Sequence, residues 1–428
     1  MKPKQSKQLK NKPKVVVIGS GFAGLAATKR LGTADVDIIL IDKSNHHVFQ
    51  PLLYQVATAA LSPAQIAQPT RTIVKHQKNC TVELNEVVDI NTEKKRVICK
   101  TCSIEYDYLV IATGATHTYF SHDEWSEYAP GIKSIEDALI ARRNILSAFE
   151  QAETTEDTRT QKKLMTFVLI GGGPTGVEMA GAIAELARHT LVGEFRNINT
   201  KDARVVLIEG NKRILPTFPE TLSIQSQLDL EELGVEVMTG QMVTECNENG
   251  VKINNDLIEC HTIIWCAGVK ASPAAKWLNV EHDSSGRVKV NPDLSVPDHT
   301  DIFVVGDTAH VIDDAGITVP GLCPAAVQQG DYVAQVISNQ INKQAKPAPF
   351  RYQDKGIMAT IGRAKAVAHL KYINLSGFIA WCMWGAIHLI PLVGFRNRIV
   401  VAMDWLWSYL TSDRGVRLIT SVSDNHPD

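Results

Sequence analysis

With 428 residues, 44% of them hydrophobic and 21% charged, and a formal net charge of −2, the chain is long enough for about two or three domains with substantial cores. The near balance of charge leaves no broad basic surface and argues against nucleic acid as a partner. Eight cysteines spread over the chain are too dispersed for a disulfide framework.

In chain order, MKPKQSKQLKNKPK carries six lysines and reads as a solvated tail, with contact to anionic lipid as the alternative. The apolar run after it, VVVIG, is too short for a signal-peptide core, so no export signal is expected. That run opens KVVVIGSGFAGLAATKRL: a buried-strand pattern, a break at Gly19, Gly21 and Gly24, then a helical pattern. VDIILID follows as a second strand ending in Asp42. Strand, glycine turn, helix, strand and acid in this order predict a dinucleotide site. The glycines permit the tight turn and a close approach of backbone to pyrophosphate, the helix N-terminus faces the phosphates, and Asp42 accepts from a ribose hydroxyl.

RVICKTCSIEYDYLV alternates like a hairpin, with Cys99 and Cys102 flanking its turn. A zinc site needs a second ligand pair, so no metal site is expected. DYLVIATGA then places Thr113 and Gly114 after another strand.

TFVLIGGGPTGVEMAGAIAELA repeats the device with Gly171, Gly173 and Gly176, ARVVLIE supplies Glu209 at the end of the next strand, and HTIIWCAGV closes the copy with Ala267 and Gly268. A repeat at domain scale implies two dinucleotides. An acid at the second-strand end favours a ribose 2'-hydroxyl over a 2'-phosphate, so Glu209 points to NADH over NADPH, against the nearby Lys212 and Arg213. Downstream, TDIFVVGDTAHV sets Gly306 and Asp307 after an apolar strand.

From Val15 to about residue 340 the pattern resembles the two-dinucleotide-binding flavoprotein reductases, which implies FAD in the first nucleotide domain, NAD(P)H in the second, and Asp307 bonded to the flavin ribityl chain. No cysteine lies between residues 15 and 79, which excludes a dithiol relay beside the flavin. NHHVFQPLLYQVA, GGGPTGVEMAGAIAEL, VPGLCPAAVQQGDYVA, GIMATIGRAKAVA and GFRNRIVVAMDWLWSYL together resemble the type II NADH dehydrogenases, from Val15 to about Ile419. The resemblance implies hydride transfer from NADH to FAD and two-electron reduction of membrane quinone, without proton pumping. It also implies two catalytic positions. Gln328 keeps the second glutamine of the family's quinone motif in CPAAVQ, where Pro324 replaces the first, and Glu178 resembles a glutamate close to flavin and nicotinamide. The alternatives are a surface residue for Gln328 and, for Glu178, a carboxylate favoured by the helix dipole. Pro324 suits a first helical position, so the helix starting there is expected to aim the N–H groups of Ala325, Ala326 and Val327 at the flavin. Arg363 and Lys365 in IGRAKAV read as solvated charges, with a place at the quinone entrance as the alternative.

Tyr372 to Phe395 is 24 residues without Asp, Glu, Lys or Arg, long enough for a membrane span, but Pro391 and the polar Asn374, Ser376 and His388 argue against a crossing. IVVAMDWLWSYL is apolar again, interrupted by Asp404, and Trp381, Trp384, Trp405 and Trp407 are residues of the membrane interface. Two amphipathic helices lying in one leaflet account for this best; a core helix pair is the alternative.

The expected fold is α/β, with two Rossmann-like dinucleotide-binding domains and a C-terminal membrane-associating helical segment. The FAD domain takes residues 1–125 and 290–350, the NADH domain 126–289, and the membrane-associating region 351–428. The expected partners are NADH, membrane quinone and the membrane surface, on the cytoplasmic face of a bacterial-type inner membrane; a homodimer is left open. The rival readings are a sulfide:quinone reductase-like flavoprotein and an NADH-sensing flavoprotein that docks a protein partner.

Overall fold

Runs of aliphatic and β-branched residues without polar alternation, KVVVI at Lys14–Ile18 and TFVLI at Thr166–Ile170, form strands buried along nearly their whole length, as the middle strands of parallel sheets require. The computed structural model describes residues 12–313 and 316–419; most of the lysine-rich start, read above as a solvated tail, lies outside them. The chain divides into two compact units, the first made of Met1–His47, Pro69–Thr116 and Val269–Asp354, the second of Val48–Gln68, His117–Gly268 and Lys355–Asp428.

The first unit is built on a five-stranded parallel sheet in the order Ile302–Val304, Tyr108–Ile111, Lys14–Ile18, Asp37–Asp42, Cys80–Leu84. Val15, Val16, Val17, Leu40, Leu109, Val110 and Phe303 are fully buried in its core. The glycine-turn helix, Phe22–Arg30, lies against the helix Cys323–Ile341 along a seam of small residues. A β-carbon at Gly330 would sit 2.2 Å from the Ala23 carbonyl oxygen, so only glycine permits that approach. At the tip of a separate hairpin, the Cys99 N–H donates to the Cys102 carbonyl at 2.8 Å, and the two cysteines are free thiols flanking the turn.

The second unit repeats the plan with a four-stranded parallel sheet in the order Val235–Thr239, Arg204–Glu209, Thr166–Ile170, Thr262–Trp265. Its long helix Ile135–Thr154 starts at a reciprocal cap, in which the Asp137 N–H donates to the Ser134 hydroxyl and the Ser134 N–H to the Asp137 carboxylate. The second glycine-turn helix, Pro174–Glu185, packs on an antiparallel sheet of Ile357–Gly362, Lys365–Leu370 and Ile373–Ser376.

The charge-free stretch from Tyr372 therefore begins as a strand. The helix that follows, Gly377–Leu389, stops just before Pro391, and a second helix runs from Phe395 to Thr411 after Gly394 turns the chain at φ +93°. Among the described residues no helix is long and apolar enough to cross a membrane. The pair has two faces. Phe378, Ile379, Ile390, Phe395, Met403, Leu406, Trp407 and Leu410 are more than half exposed, whereas Ala380, Trp384, Leu392 and Val401 are buried. Asp404, which interrupts the apolar run, faces inward and accepts from the Gln65 amide.

An alanine at Gly181 would place its β-carbon 1.7 Å from the Ile361 carbonyl oxygen, where the helix meets the C-terminal sheet. Gly181→Ala is expected to destabilise this unit by about 1–3 kcal/mol through overpacking. The check is thermal unfolding, where the midpoint should drop by several degrees; an unchanged midpoint would contradict the close approach.

Candidate functional site

Each glycine turn is shaped by what a side chain would strike. In the first unit Gly19 has φ +98° and a β-carbon there would lie 2.4 Å from the Ala112 carbonyl; one at Gly24 would lie 1.8 Å from the Gly19 carbonyl. The second unit copies this: Gly171 has φ +109°, and a β-carbon at Gly176 would again lie 1.8 Å from the first glycine's carbonyl. Gly21 and Gly173, the residues that open the helices, face open space and supply no side-chain cap. Their helices therefore present uncapped N–H groups, and the partial positive charge that goes with them, to whatever occupies that space.

The acids at the second-strand ends tie each turn together. Asp42 accepts from the Ser20 N–H at 2.5 Å, the Ser20 hydroxyl at 2.8 Å and the Ser44 N–H at 2.7 Å. Glu209, buried, accepts from the Gly172 N–H at 2.6 Å, the Asn211 N–H at 2.7 Å and the Asn211 side-chain amide at 2.6 Å. Each carboxylate thus holds the residue after the first glycine and the residue two beyond itself, and each keeps lone pairs for a ribose hydroxyl. Arg213, which sits near enough in sequence to meet a 2'-phosphate, instead donates to the carbonyls of Pro216 and Phe218.

The remaining expected flavin-site residues gather in the first unit. The Thr113 hydroxyl meets those of Ser272 and Thr308, and the Thr308 hydroxyl donates to the Gly114 carbonyl at 3.1 Å, with Gly114 at φ +68° facing open space. Asp307 has no hydrogen-bond partner among the described residues, so its half-buried carboxylate is available to a hydroxylated ligand. The site fits a flavin dinucleotide: open glycines, uncapped N–H groups and an uncommitted acid lie where that group's pyrophosphate and polyol need them.

Of the three N–H groups expected at the start of the Cys323–Ile341 helix, only that of Ala325 lacks an intrahelical acceptor. The Ala326 N–H donates to the Leu322 carbonyl at 2.9 Å, and Val327 is already one turn in. The side-chain amide of Gln328 is committed at both ends, donating to the Gln353 carbonyl at 3.0 Å and accepting from the Gln353 N–H at 2.9 Å. Its neighbour Gln329, not singled out in the sequence, is the buried one, and accepts from the Gly306 N–H at 2.7 Å. Helical spacing from Ala325 and Ala326 was the signal that places Gln329 inward.

Glu178 belongs to a cavity of about 530 Å³ whose lining is drawn entirely from the second unit, including Tyr54, Gln55, Thr360, Trp381, Trp384, Trp405 and Arg414. Desolvation drives the Glu178 pKa up to about 8, against smaller opposing contributions from the Thr360 N–H and the Trp384 indole. The carboxyl is therefore neutral and protonated at pH 7. The Trp384 N–H is directed at that carboxyl and lowers its pKa, but the contact falls short of a full hydrogen bond, and the ring is 3% exposed. His388 fixes the indole from one turn on, its ring stacked on Trp384 at 4.4 Å and its Nδ1 bonded to the Trp384 carbonyl at 2.8 Å. Burial lowers the His388 pKa, so it is a neutral ring.

Opposite, buried Arg414 donates to the carbonyls of Thr58 and Ala182 and pairs with Glu185 at 3.3 Å. The expectation that all four tryptophans lie at a membrane interface is corrected here. Trp384 and Trp405 point inward, because the cavity wall and Gln55 are where those indoles pack, and Trp407 alone is more than half exposed. Tyr54 stands in NHHVFQPLLYQVA, a stretch that carried the resemblance without Tyr54 being singled out, and Arg414 had no motif to mark it in the sequence.

Residues 13–330 match the pyridine nucleotide-disulphide oxidoreductase family, and residues 355–413 match the NDH2 C-terminal domain. The type II NADH:quinone oxidoreductase Ndh of Mycobacterium tuberculosis is 44% identical over 98% of this chain and 93% of its own length. An NDH2 of Plasmodium falciparum, solved with NADH, superposes with a TM-score of 0.86 at 20% identity over 96% of this chain and all of its own. The sulfide:quinone oxidoreductase of Aquifex aeolicus superposes with a TM-score of 0.69 at 18% identity over 94% of this chain and 92% of its own. The two structural likenesses bear on the fold alone.

Gly24→Ala and Gly176→Ala each set a β-carbon against a carbonyl in one cradle only. Each variant is expected to lose the dinucleotide of its own unit and keep the other, as read by dinucleotide stoichiometry in equilibrium dialysis. Loss of both from either single variant would contradict two independent cradles.

Proposed function

Because the chain belongs to the type II NADH:quinone oxidoreductases, within the pyridine nucleotide-disulphide oxidoreductase family, we propose an assignment of its sites to that reaction. The chain is an FAD-dependent enzyme that oxidises NADH and reduces quinone. FAD, when bound, supplies the two-electron chemistry that links the two substrates. Gly19, Gly21, Gly24 and Asp42 hold its adenosine and pyrophosphate, Asp307 its polyol, and Thr113, Gly114, Gly306 and the Ala325 N–H complete that cradle. Gly171, Gly173, Gly176 and Glu209 hold NADH, with Glu209 selecting the 2'-hydroxyl and Arg213 already occupied. The division into an FAD domain around the first cradle and an NADH domain around the second is part of the same proposal.

The cavity of the second unit receives the quinone head group. One observation carries this: a mainly apolar cavity presents a carboxyl that burial keeps neutral and an indole N–H that completes no hydrogen bond among the described residues, and a ligand with carbonyl oxygens on an apolar ring answers both. Trp384 donates to a quinone oxygen, and Glu178 gives up a proton as that oxygen gains charge. Gln328 serves by clamping residue 353 to the helix that carries Ala325.

The exposed apolar face of the two C-terminal helices seats the enzyme peripherally on the membrane, on the cytoplasmic side where NADH is found, with exposed Arg396 at lipid headgroups. Each cradle and the cavity are complete within one chain, so a homodimer is not needed to build any of them.

A proton donor works only while protonated, so quinone reduction should persist below pH 8 and fall as pH rises through the Glu178 pKa of about 8. Glu178→Gln should cut quinone turnover at pH 7 by about 10²-fold or more and abolish that high-pH decline. An unaltered pH profile in the variant would remove Glu178 from the reaction.

Leu406 and Leu410 are 61% and 68% exposed on the outer face. The double substitution Leu406→Glu and Leu410→Glu should lower binding to anionic vesicles by about 100-fold or more, since each buried leucine contributes about 1.5–3 kcal/mol. Undiminished co-sedimentation with vesicles would defeat the docking face.

A further inference from the structure

Reducing a quinone to a hydroquinone consumes two electrons and two protons, and Glu178 accounts for one proton. Tyr54 lines the same cavity and is 6% exposed. Its hydroxyl oxygen accepts from the Gln55 amide nitrogen at 2.8 Å, and the Gln55 carbonyl oxygen in turn accepts from the Trp405 indole at 2.7 Å. An indole nitrogen can only donate. Trp405 therefore fixes which end of the Gln55 amide faces the ring, and that end can only donate to Tyr54. With its oxygen engaged as an acceptor, the Tyr54 hydroxyl has its own proton free to give. Burial first, then the charges of Glu178 and Glu185, push the Tyr54 pKa well above the ordinary phenol range, against the Gln55 amide and Arg414, so the hydroxyl holds its proton until charge develops on a ligand oxygen.

We propose that Tyr54 is the second proton donor to the quinone, and that Gln55 and Trp405 are positioning residues that keep its proton directed into the cavity. The proposal rests on the reading that the cavity holds the quinone head. In the step, the Tyr54 O–H bond breaks and an O–H bond forms on the second quinone oxygen, while the first takes the Glu178 proton; the two electrons are those the enzyme draws from NADH, and the proton set free as NADH becomes NAD+ leaves to solvent, so the whole turnover consumes one proton. The phenolate and carboxylate left behind take protons from solvent before the next turnover. Trp405 sits on the helix whose outer face carries Leu406 and Leu410, so the string Trp405–Gln55–Tyr54 ties the orientation of the donor to the seating of that helix.

The test uses the full-length, flavin-loaded enzyme on phosphatidylcholine–phosphatidylglycerol vesicles with decylubiquinone, compared with ferricyanide, an acceptor that takes electrons without protons. In Tyr54→Phe the ratio of quinone to ferricyanide turnover is expected to fall by about 10²-fold. The dependence of the quinone rate on the D₂O fraction should change from the curve of two transferred protons to the straight line of one. Trp405→Phe and Gln55→Leu should lower the ratio by a smaller factor through kcat, with KM for decylubiquinone unchanged. A Tyr54→Phe ratio within twofold of the parent, with the curve retained, overturns the proposal. If Tyr54→Phe loses its flavin, Trp405→Phe decides: a lowered ratio with unchanged KM upholds the proposal, and an unchanged ratio overturns it. Glu178→Gln separates the two levels. If it lowers the ratio while Tyr54→Phe does not, only the second donor is lost; if neither does, the cavity is not the quinone site.

Discussion

A missing β-carbon is the constraint on which both nucleotide cradles rest. At Gly24 and at Gly176 a methyl group would lie 1.8 Å from the carbonyl of the glycine that ends the preceding strand, so the helix can start directly over the strand end only because glycine is there. That approach leaves the first N–H groups of the helix uncapped, and an anion site arises from backbone dipoles rather than from basic side chains. The strand-end acids then lock the turn, Asp42 through Ser20 and Glu209 through Gly172. A chain with almost no net charge can in this way hold two pyrophosphates.

Helix dipole and burial compete at Glu178, and their magnitudes settle the outcome. A carboxylate near a helix start gains at most about 2 kcal/mol from the dipole, whereas removing an ionised carboxyl from water costs several kcal/mol. Burial wins, and the pKa rises to about 8. Burial thus outweighs the helix dipole on which the plain alternative for this residue, an ionised carboxylate, depends. A neutral carboxyl can donate, which an ionised one cannot, and the proposed role of Glu178 as a proton source rests on that.

The two C-terminal helices serve opposite surroundings at once. Their inner faces satisfy polar groups, Asp404 with Gln65, Trp405 with Gln55 and Asn397 with the Ala64 carbonyl, while their outer faces leave Phe395, Leu406, Trp407 and Leu410 uncovered. Because the same helices wall the cavity, cutting the chain after Tyr372 would not simply detach an anchor; it would strip Trp381, Trp384, Trp405 and Arg414 from the lining. On the proposed assignment, membrane attachment and the acceptor site are one piece of structure.

What the sequence determined by itself was local. Strand, glycine turn, helix and acid occur within about 30 residues, so Gly19 to Asp42 and Gly171 to Glu209 were legible as strings, and the repeat doubled the signal. That no helix among the described residues is long and apolar enough to cross a membrane was likewise legible from Pro391 and the polar residues before it. Tertiary structure decided everything that joins distant segments. It turned Trp384 and Trp405 inward, made Gln329 rather than Gln328 the buried partner of Gly306, and brought Tyr54, Glu178, Thr360 and Arg414 around one cavity from stretches as far as 360 residues apart in sequence. No periodicity or motif encodes such a meeting, because the direction a side chain faces depends on which surface its helix or strand is packed against.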